Sequence, residues 1–242
     1  MQDAYQREQM AECKRIVIPR FWNGVGLTGM KDFVEVTGMV LTATPVGESD
    51  KRVVILTKER GKITAFARGA RRPGSRFLAA TDPFSFGEFK LYEGRNAYTL
   101  AEVTIQNYFE QMRTDYDAAM YGMYFLEVMD YYTRENNDEC EMLKLLYQSL
   151  RALINENLDN RLVRCIFEMK TLVIQGEFPG EPKEGEWLEG TLYAIGFIMN
   201  TPIRSLYTFG VKENVLLELQ RISEEYCKRY IGHHFHSLDM II

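Results

Sequence analysis

Apolar residues recur with a period of two between residues 33 and 105 and with a period near 3.6 after about residue 106. A β segment followed by an α-helical segment is therefore predicted. Residues 33–43 (FVEVTGMVLTA) combine β-branched residues with alternation and run into the turn formers from Pro45 to Asp50, so they read as strand, then turn. Residues 52–57 make a second strand, Glu59, Arg60 and Gly61 a tight connection, and 62–68 a third strand, the succession of an antiparallel meander. Residues 69–75 (GARRPGS) are broken by Gly69, Pro73 and Gly74 and read as a loop carrying two adjacent arginines. Residues 84–92 and 98–105 supply two more strands, joined by the turn Glu93, Gly94, Arg95 and Asn96. Five short strands with glycines inside several of them predict a small closed barrel of the oligonucleotide-binding (OB) type, where glycine permits the bends that closure needs. An SH3-like barrel fits the same pattern.

In the helical part, Tyr121, Phe125, Val128, Met129 and Tyr132 fall on one face while Tyr116, Met120 and Tyr124 line its neighbour. A helix apolar over most of its circumference belongs in the middle of a core. Leu143, Leu146, Leu150, Leu153 and Ile154 define a second helix, after the capping cluster Asn136, Asn137 and Asp138. Leu162, Ile166, Met169 and Val173 define a third, which Gly176 should stop. Residues 176–186 (GEFPGEPKEGE) form a loop, 187–199 a further apolar segment, and Val215, Leu219, Ile222, Tyr226 and Tyr230 a last amphipathic helix. The predicted class is α+β: a five-stranded OB-fold barrel over residues 30–106, then an all-α helical C-terminal domain over 107–242. Residues 1–29 are polar and weakly periodic, and are set apart either as a flexible arm or as a non-native extension with Met30 the natural start.

With 242 residues, 46% of them hydrophobic, the chain can bury a large core. No window approaches 18 uninterrupted apolar residues and no signal peptide is evident, so a soluble, cytoplasmic protein without membrane contact is expected. Cys13, Cys140, Cys165 and Cys227 are scattered without a CxxC pair and read as free thiols.

Charge changes the picture more. Residues 51–76 hold nine basic residues against the single acid Glu59, a net of +8, in a chain whose total is -5. Residues 110–242 carry 13 basic and 22 acidic groups. A block this basic on an otherwise acidic protein marks where a polyanion docks. Arg71, Arg72 and Arg76 lie in or beside a Gly/Pro loop, and Phe66, Phe77 and Phe84 are aromatic candidates nearby. A charged groove with stacking platforms is how single-stranded nucleic acid is held, although Phe66 alternates so as to face the core.

Catalytic chemistry finds no such foothold. The chain has no phosphate-binding GxxxxGK[ST] loop, GxSxG elbow or HExxH pair. Asp115 and Asp117 read as helix-start residues, and Glu139 and Glu141 as a solvated first turn. His233, His234 and His236 lack a cysteine or paired carboxylate at ligand spacing and read as a helix end, so neither metal nor cofactor is expected and the protein is read as a non-enzyme.

The run from Thr37 to Arg76, TGMVLTATPVGESDKRVVILTKERGKITAFARGARRPGSR, and then DPFSFGEFKLYEGRNAYTLAEVTIQNYFEQMRTDYDAAMYGMYFLEVMD, resemble the bacterial DNA repair family RecO. The stretches PIRSLYTFGV and HHFHSLDMI are also similar, so the resemblance spans roughly residues 33–174 and 202–240. It implies the same two-part fold and a recombination mediator that binds single- and double-stranded DNA and anneals complementary strands. It also implies partners: RecR, the C-terminal tail of the single-stranded DNA-binding protein SSB, and indirectly RecA, which such proteins help to load. Carried over residue by residue, the DNA contacts are Lys51, Arg52, Arg68, Arg71, Arg72 and Arg76. The four-cysteine zinc module that many relatives place after the third helix is missing, since GEFPGEPKEGE has no cysteine. Arg161, Arg164 and Lys170, recurring on one helix, are candidates for a basic pocket for the acidic SSB tail. Two other readings stay open, a protein-interaction adaptor and an RNA-binding barrel.

Overall fold

The computed structural model describes residues 33–95, 97–180, 182 and 187–241. Residues 1–29, Asn96, Cys13 and much of the loop at 181–186 lie outside the described residues. Five strands form a closed barrel: β1 (Phe33–Val46), β2 (Asp50–Thr57), β3 (Gly61–Ala67), β4 (Phe86–Tyr92) and β5 (Tyr98–Asn107). A four-residue helix, α1 (Phe77–Ala80), separates β3 from β4. The order around the barrel is β1-β2-β3-β5-β4, with β1 pairing antiparallel to both β2 and β4 and a short parallel pairing of β3 with β5. That order is the OB arrangement and decides against the SH3-like alternative.

β1 serves two neighbours because it is long and bends. Its first half pairs with β4 and its second with β2, and at the changeover Gly38 sits opposite both Thr57 and Gly87. A Cβ on Gly38 would lie 2.4 Å from the Leu56 carbonyl oxygen, and one on Gly87 would lie 2.2 Å from that of Thr104. Only glycine allows backbones to cross this closely, which is the role expected of the strand glycines.

The barrel has its own core, built from Val36, Val40, Val53, Ile55, Ile63, Ala65, Phe89, Leu91 and Leu100. The opposite side chains of β1 and β2, namely Met39, Leu41, Val54 and Leu56, belong to a second core shared with the helices. This explains the unbroken run VVIL in β2: a strand covered on both faces carries apolar residues at every position. β3, with one open face, alternates strictly.

The helices are α2 (Tyr116–Tyr132), α3 (Cys140–Leu153), α4 (Asn160–Gln175), α5 (Glu189–Asn200) and α6 (Glu213–Tyr226). Asp115 caps α2 by accepting a bond from the Ala118 amide at 3.0 Å, and Gly176 ends α4 in the left-handed region. Helix α2 is central, as its sequence requires, with Tyr121, Tyr124, Phe125, Val128 and Met129 buried; Tyr116, in its first turn, is open to solvent instead. Glu139 departs further from expectation. It is buried and accepts the Arg134 amide at 3.1 Å, and burial pushes its carboxyl above the usual range. Glu141, exposed and paired with Lys144, is the solvated residue of that turn.

Candidate nucleic-acid interface

The basic block does not form one patch. β2 and β3 are paired along their whole length, Lys51 opposite Ala67 and Thr57 opposite Gly61. At about 3.3 Å per residue, Arg52 and Lys58 are therefore held some 20 Å apart. The hairpin end carrying Lys58, Arg60 and Lys62 docks against the last turn of α2 and the segment after it: Lys62 Nζ meets Asp130 Oδ1 at 2.9 Å, and the Asn136 amide donates to the Arg60 carbonyl at 2.9 Å. Gly61, at φ 65°, lies so close to this segment that a Cβ would be 2.2 Å from the Arg134 carbonyl oxygen. Of the three basic residues, Lys62 uses its charge in the contact between barrel and helices, and Arg60 contributes its backbone carbonyl.

The other end gathers Arg52, Arg68, Arg71, Arg72 and Arg76, all exposed. The loop that carries most of them is pinned at both ends by Ala70 and Phe77, which are buried in the barrel core. It is also laced to the β1–β2 turn. The Gly69 amide donates to Asp50 Oδ1 at 2.8 Å, the Arg71 amide to the Ser49 carbonyl at 2.8 Å, and Arg71 Nη1 to the Gly47 carbonyl at 3.2 Å. The Gly69 amide, then Ser49 and the charges of Arg68 and Arg72, hold the Asp50 carboxyl below the usual range. This acid organises an arginine loop. Arg76 donates to the Ala101 carbonyl at 2.6 Å and stacks over the Phe77 ring at 4.8 Å, which leaves other guanidinium donors outward.

Lys51 is placed differently from the other five sequence-predicted contacts. Its ammonium is largely covered and bonds Asp82 Oδ1 at 2.8 Å and the Leu78 carbonyl at 3.0 Å. Its charge is used to fasten β2 to α1 and the segment after it.

Of the aromatic candidates, Phe77 is core and Phe84 packs against the helical core. Phe66 is half-buried on the outward side of β3, opposite Arg52 on β2 and Thr99 on β5. The expectation that it faces the core is overturned by the register, which sends Ala65 and Ala67 inward. Arg52 and Phe66 thus form a charged and aromatic pair beside the arginine loop. One outward row has the opposite sign: Glu35, Lys90 and Glu102 lie side by side across β1, β4 and β5, with Lys90 3.7 and 3.8 Å from the two carboxylates. A polyanion meets attraction at the loop end and none on this side.

The three basic residues of α4 do not make a pocket. Arg161 pairs with Asp159 at 2.7 Å and Glu213 at 2.9 Å. Arg164 bonds the buried Glu168 at 2.8 Å, and that carboxylate also accepts from Tyr124 at 2.7 Å and from Ser223. Lys170 is buried, with its ammonium on the Ile198, Met199 and Thr201 carbonyls at the end of α5. Sequence spacing placed these residues on one helix; it could not show that each faces a different neighbour.

The family model for the recombination protein O N terminal matches residues 30–109, and that for its C terminal matches residues 113–180 and 178–239. Among similar proteins, the DNA repair protein RecO of Acetivibrio thermocellus is 26% identical over 242 residues, 87% of this chain and 96% of that protein. Its counterpart in Alkaliphilus metalliredigens is 30% identical over 191 residues, 76% of this chain and 77% of the relative. That of Symbiobacterium thermophilum is 38% identical over 144 residues, 60% of this chain and 57% of the relative.

Proposed function

This chain belongs to the recombination protein O (RecO) family of DNA repair proteins, and from that premise we propose that it is a recombination mediator that binds and anneals DNA strands. The observation that carries the reading is the cluster of five exposed arginines at one end of the barrel in a chain of net charge -5. Arg52, Arg68, Arg71, Arg72 and Arg76 meet phosphates, Phe66 offers a ring to a base, and Lys51 holds β2 to Leu78 and Asp82. Two strands held at this end repel each other less, so their bases pair. No covalent bond is made or broken, and no metal or cofactor is needed.

Single- and double-stranded DNA are both ligands, because a phosphate-directed site does not require unpaired bases. We further propose that the protein acts with RecR, engages the acidic SSB tail and assists RecA loading in the nucleoid. Support for these partners is family membership alone. Among the described residues no helix is long and apolar enough to cross a membrane.

The test is annealing of complementary oligonucleotides, followed by energy transfer, on bare and on SSB-coated strands with and without RecR. Annealing by the wild type that falls severalfold in the Arg71→Ala/Arg72→Ala protein supports the proposal. Equal annealing by both proteins, or none on bare strands, overturns it.

A further inference from the structure

The last turn of the chain brings together side chains that DNA binding does not use. Phe235 is buried, edge-on to Tyr124 with ring centroids 5.6 Å apart. In the extended backbone around it, successive side chains alternate. His234 and His236 therefore share the open side, their ring centroids 5.3 Å apart. The 3-10 turn His236–Met240 then carries Asp239 round one turn, and its Oδ2 lies 3.0 Å from His234 Nε2. One nitrogen or oxygen from each of the three residues lies within 4.8 Å of the other two. Their backbone is fixed: Glu127 of α2 accepts the amides of His236 at 3.1 Å and Ser237 at 3.0 Å, and the Ser237 hydroxyl as well. His233 is turned away and stacked on Tyr131 at 4.5 Å.

We infer that His234, His236 and Asp239 form a binding site for a divalent transition-metal cation of the zinc class. Two imidazoles and a carboxylate are the donor set that Zn²⁺ accepts, whereas Mg²⁺ and Ca²⁺ prefer oxygen alone. Tetrahedral zinc, with bonds of about 2.0–2.1 Å, sets its ligand atoms about 3.3 Å apart. The pair His234 and Asp239 is already near that separation, and the exposed His236 ring closes the rest by side-chain rotation. Water takes the fourth position. No carboxylate stands at ligand spacing to the histidines along a helix end; Asp239 supplies one from the following 3-10 turn.

The site is tested on the full chain by calorimetric titration with Zn²⁺ and by the visible absorption of Co²⁺. Wild type is compared with His236→Ala, Asp239→Asn and His233→Ala. One Zn²⁺ per chain is expected, bound at least about tenfold more weakly in the first two variants and within about twofold of wild type in the third. The intense absorption of tetrahedral Co²⁺ should disappear with the same two substitutions. Equal affinity in all four proteins, or no binding by the wild type at millimolar Zn²⁺, overturns the site. The three ligands are exposed and Asp239→Asn preserves side-chain shape, so circular dichroism of that variant separates a lost ligand from a lost fold.

Discussion

Replacing Arg71 and Arg72 together with alanine should change how DNA binding depends on salt by a calculable amount. Five arginines are exposed at the loop end, and Lys51 is held by Asp82. With about five phosphates neutralised at about 0.7 per contact on a single strand, the slope of log K against log salt is about -3.5 for the wild type. Removing two contacts leaves about -2.1. Between 50 and 200 mM salt the wild type then loses roughly 130-fold in affinity and the variant roughly 20-fold. The fold itself should be nearly untouched, because the bonds from the Gly69 amide to Asp50 and from residue 71's amide to Ser49 survive the substitution. Exposed changes of this kind cost within about 0.5 kcal/mol. Fluorescence anisotropy of a labelled oligonucleotide across a salt series reads both slopes. Parallel slopes for the two proteins would refute the assignment of these arginines to phosphate contact, whatever the absolute affinities.

Lys51→Ala should act on stability, lowering it by about 1–2 kcal/mol in urea unfolding as Asp82 loses its closest cation, while the salt slope stays at the wild-type value; a slope flattened by about 0.7 with unchanged stability would return Lys51 to the DNA surface. Glu168→Leu leaves the largely buried Arg164 only the exposed Glu224 carboxylate at 3.8 Å, takes the acceptor from Tyr124 and Ser223, and should cost about 3 kcal/mol, much of it recovered when Arg164→Met is added. Full additivity of the two substitutions in denaturant melts would argue against a shared network. For Glu127, burial raises the carboxyl, but the Ser237 hydroxyl and the Ser237 and His236 amides together outweigh it and leave it below the usual range. A folded pKa below the unfolded one contributes stability that is present above the ordinary carboxylate pKa and lost as pH falls through the folded value. Hydrogen-exchange protection at the His236 and Ser237 amides, corrected for intrinsic rates, should therefore persist at neutral pH and drop on acidification below about 4. Glu127→Gln should remove that step; an identical acid profile would show that other groups hold the segment.

Much of the fold could be read from periodicity, because burial of one face of a strand or helix imposes its repeat directly on the sequence. Strict alternation in β3 and the broad apolar circumference of α2 both match the described elements. Periodicity misled where an element has more than one neighbour. β2 is covered on both faces, so its VVIL run lost the alternation that a half-buried strand keeps. The spacing of Phe66 from charged residues points it inward, and the register that sets it opposite Arg52 puts it outward. The capping acid Asp115 was legible since a cap acts within three residues, whereas Glu139 needed knowledge of the Arg134 turn folding back on it.

By itself the sequence determined which segments become strands and helices, that the first part closes into a barrel, and that an excess of positive charge lies within residues 51–76. The strand and helix assignments and the charge excess depend on neighbours along the chain, and the glycines inside the strands permit the bends of a closed barrel. Which of those charges remain free depends on contacts between distant parts of the chain. Lys51 finds Asp82 31 residues away and Lys62 finds Asp130 68 residues away, while Arg52, Arg68, Arg71, Arg72 and Arg76 are left at the solvent end. The physical reason is that strand register sends each side chain to one face or the other, and an ion pair forms only between groups that folding brings within a few ångströms.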